Sequence, residues 1–203
     1  MFGNKQFDAM KEKIERAARV MLTLTVPIAI IAGLVLLPLI RLFLGLEETA
    51  TMRVVNASQV FLLGIVGHSL VELFVRSFYS LQKPIVPLIG SAFTLVVFIL
   101  LGNALSPALD AVGIASANTV AYTLQAILLL VLLNKVLNAP LKLGGSALKS
   151  ILAAAIGGVA AYAVINWMPG LAGTLIGAVA AFGVGIILAA LVLRKDLREI
   201  TEL

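Results

Sequence analysis

Apolar runs of about 20 residues recur along this chain, and nothing else in it constrains the fold so strongly. An α-helix rises about 1.5 Å per residue, so each run is long enough to cross the roughly 30 Å hydrocarbon core of a bilayer. Hydrocarbon gives the backbone no hydrogen-bond partner, so each run must satisfy its own amides as a helix. The period-2 alternation of a membrane barrel is absent. With 61% hydrophobic and 12% charged residues, the chain reads as an all-α, polytopic membrane protein.

Six transmembrane helices are expected, over 19–42, 54–79, 85–105, 111–133, 148–167 and 171–193. An amphipathic segment, 1–18, precedes them. Its Phe7, Met10, Ile14, Ala17 and Met21 recur at helical spacing, with Lys5, Lys11, Lys13 and Arg16 off that stripe. Such a segment suits the cytoplasmic headgroup layer. Orientation follows from the basic residues. With the N-terminus inside, 13 of the 15 Lys and Arg fall on inner segments, and only Arg41 and Arg53 fall outside. Both termini are therefore expected in the cytoplasm. The loop "LNAPLKLGGS" divides the four-helix group, 19–137, from a final hairpin and tail, 138–203.

Several function classes drop out. No cysteine is present, and His68 is the only histidine, so disulfides, thiol chemistry and histidine-cluster metal sites are not expected. No cofactor is implied. The net charge of +5 is spread over loops and helix ends rather than gathered in a patch, which argues against nucleic acid as a partner. "GHSL" does not make a serine hydrolase: Ser69 adjoins His68, neighbouring side chains on a helix diverge, and no enzyme is expected.

The polar residues inside the spans carry the functional information. His68, Glu72 and Arg76 are spaced four apart on the second span and are expected to stack along one helix face. Charge at membrane depth is expensive, and such groups mark either a structural pair or a substrate pathway. Asn118, Tyr122 and Gln125 form a polar stripe on the fourth span, fit for interhelical hydrogen bonds or for lining a cavity. Gly113, Ala117 and Ala121 make a small-residue stripe beside it. Ala153, Gly157 and Ala161, then Gly173, Gly177, Ala181 and Gly185, do the same on the last two spans. Small residues let helix backbones approach closely, or leave a groove for a lipid chain.

At "VRSFYSLQKPIVP", followed by "VGIASANTVAYTLQAILLLVLL", the chain resembles the MurJ (MviN-like) lipid II flippases of the multidrug/oligosaccharidyl-lipid/polysaccharide exporter superfamily. Arg76, Phe78, Tyr79, Leu81 and Pro87 match that family's helix end and loop, and Gly113, Ala115 and Ala117 its later small-residue pattern. "LTVPIAIIAGLVLLPLIRLFLG" is similar to the family's preceding helix, with Pro27, Arg41 and Gly45 in place. The family's Asp-Thr is missing, with Lys83 and Pro84 at about that position.

The resemblance implies the C-terminal part of a fourteen-helix flippase fold: the rear of the second lobe and the terminal pair. It implies a bacterial plasma-membrane protein that translocates lipid II for peptidoglycan synthesis by alternating access. Its partners would be an undecaprenyl-type lipid-linked sugar precursor, membrane lipids and the preceding helices of the same protein. His68, Glu72, Arg76, Asn118 and Gln125 are the pathway candidates; Gly157, Gly173, Gly177 and Gly185 are the packing or lipid-groove candidates. A flippase for another lipid-linked oligosaccharide, or a standalone six-helix scaffold, stays open on the sequence.

Overall fold

The computed structural model describes residues 2–167 and, beyond them, isolated helical positions between 176 and 191. Most of the sixth expected span, including Gly173, Gly177 and Gly185, lies outside the described residues, as does the C-terminal tail. Every element described is helical: α1 (Phe2–Leu44), α2 (Glu48–Ser80), α3 (Ile85–Leu137) and α4 (Gly144–Trp167). Three of them, α1, α2 and α3, are long and apolar enough to cross a membrane.

The amphipathic segment and the first span are one helix. Pro27 and Pro38 lie inside α1 without ending it, although each withholds a hydrogen bond from the preceding turn. The helix ends only where Gly45 takes a left-handed φ of 54°, a conformation that costs glycine little. The apolar stripe of the early segment faces protein along most of its length. Ile14 and Ala18 are buried, and Met10, Ala17 and Met21 pack on the same cluster with Phe74 and Phe78 of α2 and Leu129, Leu133 and Leu137 of α3. Only Phe7, 44% exposed, points away. The stripe runs without a break into Leu22 and Val26, which meet Ala154 of α4.

α3 is 53 residues long. Straight, it would measure about 80 Å, more than twice the thickness of the hydrocarbon. It is not straight. Asp110, with φ 50° and ψ −130°, interrupts the helical backbone. The chain reverses there into two antiparallel arms, 85–109 and 111–137, so that position 90 comes beside Leu129 and Gln125 while position 113 comes beside Leu105. These arms answer to the expected third and fourth spans.

The elements pack in series: α4 on α1, α1 on α2, α2 on α3. Small residues set the closest approaches. A methyl group at Gly64 would lie 2.7 Å from Thr119 Oγ1, and one at Gly67 3.2 Å from the Thr123 backbone nitrogen. On α4, Ala154 and Ala161 are fully buried against α1, where Gly158 faces Ile30 and Leu34. Polar bonds pin the stack. Gln59 Nε2 donates to the Gly33 carbonyl at 2.9 Å, and Thr119 Oγ1 donates to the Val60 carbonyl at 2.8 Å.

Candidate functional site

An i, i+4 step on an α-helix advances the face by about 40°, because 3.6 residues complete a turn. Across two such steps His68 and Arg76 diverge by about 80°, and the structure puts them in different surroundings. His68 turns onto the second arm of α3. Its Nε2 hydrogen-bonds Asn118 Oδ1 at 3.2 Å, the imidazole donating to the amide oxygen. Its ring stacks on Tyr122 with centroids 3.5 Å apart and planes 27° apart. Glu72 and Arg76 instead pair with one another along α2. Their side chains are 60% and 74% exposed, so the pair stands on the outward face of the described helices.

The polar stripe of the second arm converges with groups that the sequence did not single out. Ser91 and Thr94, on the first arm, sit three residues apart on one face and look across at Asn118, Tyr122 and Gln125. With Val71 and Phe98 these residues line a cleft of about 380 Å³. Gln125 is 2% exposed, and its Nε2 donates to Ser91 Oγ at 3.4 Å. Both hydroxyl hydrogens on the first arm are spent on its own backbone: Ser91 Oγ on the Pro87 carbonyl at 3.0 Å, Thr94 Oγ1 on the Gly90 carbonyl at 2.9 Å. The Ser91 oxygen accepts from Gln125, and the Thr94 oxygen keeps its lone pairs beside the cleft. A polar pair at i, i+3 in an otherwise apolar run was the available signal for these two residues.

Of the five pathway candidates, Asn118 and Gln125 thus line one cleft, His68 borders it through Asn118 and Tyr122, and Glu72 and Arg76 stand apart. Gly157 is buried in α4. Ser69, beside His68, donates its hydroxyl to the Ile65 carbonyl of its own helix at 2.9 Å. Among the described residues no three acidic or histidine side chains gather as metal ligands. What the cleft can do chemically is hydrogen-bond to, and enclose, an uncharged polar group within an apolar bundle.

Comparison with known proteins adds a family. The model of a family described as "Lipid II flippase MurJ" matches residues 1–181. None of the curated proteins matches the chain.

Proposed function

The chain belongs to the lipid II flippase MurJ family, and from that premise we propose that it serves in moving lipid II across the bacterial inner membrane by alternating access. The match over residues 1–181 carries the reading. It takes in all four described helices, and with them a multi-pass membrane protein of transport function.

A lipid-linked precursor has a large polar headgroup that hydrocarbon rejects and a tail that hydrocarbon accepts. A flippase has to give the headgroup a polar route that opens to one side and then the other. In this reading the chain has six spans with both termini in the cytoplasm, and it forms the rear of the second lobe in a fourteen-helix fold. The polar residues His68, Asn118 and Gln125 belong to the route. Glu72 and Arg76 support the need for further helices: an ionised pair on the outward face of an apolar helix is stable where water or protein covers it. The terminal pair, with Gly157, Gly173, Gly177 and Gly185, guides the tail.

The test is rescue of cells depleted of their own lipid II flippase. The chain is expressed alone and together with the preceding helices of a family member. Rescue only by the combination is the expected result. Rescue by the chain alone would point to self-assembly, and failure of a well-expressed combination would favour another lipid-linked oligosaccharide or a scaffold role.

A further inference from the structure

We propose that the cleft between the two arms of α3 receives the uncharged sugar portion of the lipid-linked substrate, an inference that rests on the flippase reading above. Four observations carry it. The first is the absence of charge: Ser91, Thr94, Asn118, Tyr122 and Gln125 are the polar side chains of the lining, and none of them is ionised. The Arg76 guanidinium is committed to Glu72 on another face. A pyrophosphate would find no cation here, whereas hydroxyl and acetamido groups would find amide donors, amide acceptors and hydroxyl oxygens.

The second is Gln125 itself. A carboxamide has two donor hydrogens and two acceptor lone pairs. This one is almost wholly buried, yet among the described residues it makes a single long bond, 3.4 Å to Ser91. The rest of its hydrogen-bonding capacity is available to a polar group that enters the cleft it lines. The third is the wall. Tyr122 and Phe98 present aromatic surface beside those amides, the mixture of apolar wall and few placed polar groups typical of small-molecule sites. His68, stacked on Tyr122 and bonded to Asn118, holds both in place from behind. The fourth is size: about 380 Å³ falls within the roughly 300–1,000 Å³ of ligand pockets.

The experiment compares two lipids that share a tail and a pyrophosphate, lipid II and undecaprenyl pyrophosphate, titrated by native mass spectrometry into the full chain in lipid nanodiscs. The wild type is expected to bind lipid II about 10-fold more tightly than the sugarless lipid, the value of one or two buried hydrogen bonds. Gln125→Leu and Ser91→Ala should bring that ratio close to one while binding of the sugarless lipid stays as it was. Ser91 is exposed, so its variant decides the matter should Gln125→Leu misfold. An unchanged ratio in Ser91→Ala, with lipid II still bound, would overturn the sugar site and leave the flippase reading intact. Equal binding of the two lipids by the wild-type chain would likewise overturn the sugar site.

Discussion

At the scale of single residues, the Glu72–Arg76 pair shows how little a spacing says about surroundings. Both groups are outward on α2 and each is the other's partner. Removing one leaves a lone charge on an apolar helix, and removing both leaves none. Glu72→Leu should therefore lower the melting temperature in micelles, Glu72→Gln should lower it less, and the double variant Glu72→Leu/Arg76→Leu should recover most of the loss. Equal melting of all three would mean that the pair is fully hydrated and carries no energetic weight. Glycines give a sharper contrast. Gly64→Leu drives a side chain into Thr119 and should cost about 1–3 kcal/mol of stability, the usual penalty for overpacking. Gly102→Ala meets open space and should be neutral or slightly stabilising in the same melts, since alanine is the better helix former.

At the scale of elements, the reversal inside α3 depends on one backbone conformation and one missing side chain. Asp110 holds φ 50°, ψ −130°, the first central position of a II′-type turn, where glycine is the favoured residue. Asp110→Gly should raise stability by up to about 1 kcal/mol despite losing the exposed 3.9 Å contact with Arg53. Asp110→Val should lower it. At Gly113 a methyl would fall 2.5 Å from the Leu105 carbonyl oxygen, so Gly113→Val should splay the arms and open the cleft to proteolysis near the turn.

The linker after α3 is held differently. Asn138 caps the helix in a left-handed conformation, and Asn134 Oδ1 accepts from the Leu141 amide at 3.0 Å. Glu15, 127 residues away, accepts from the Lys142 amide at 2.8 Å. Glu15→Ala should leave the bundle folded but speed protease cleavage around 138–143. An unaltered cleavage rate would show that Asn134 alone suffices.

At the scale of the whole molecule, the distribution of Lys and Arg sets the expected direction of insertion. A cysteine at Leu46, between α1 and α2, should react with an impermeant thiol reagent in intact cells; one at Gly144, at the start of α4, should react only after lysis. The chain has no cysteine of its own to confuse the readout. The reverse pattern would invert every inside and outside assignment and place the early part of α1 on the outer surface.

What the sequence determined by itself was local. Apolar runs of spanning length require helices because the backbone must be satisfied within each segment; α2, the two arms of α3 and α4 fall on expected apolar runs, while α1 takes in the amphipathic segment as well as the first run. The resemblance at Arg76–Pro87 and Gly113–Ala117 had pointed to the family that the wider match now shows. What only the tertiary structure decided was which face of each helix looks inward. Lipid tails are as apolar as leucine, so a membrane helix need not segregate its apolar residues, and the pattern does not separate protein-facing from lipid-facing positions. That is why His68 and Arg76 could not be told apart by spacing. It is also why Ser91 joins Gln125 across 34 residues of chain only once Asp110 has turned α3 back on itself.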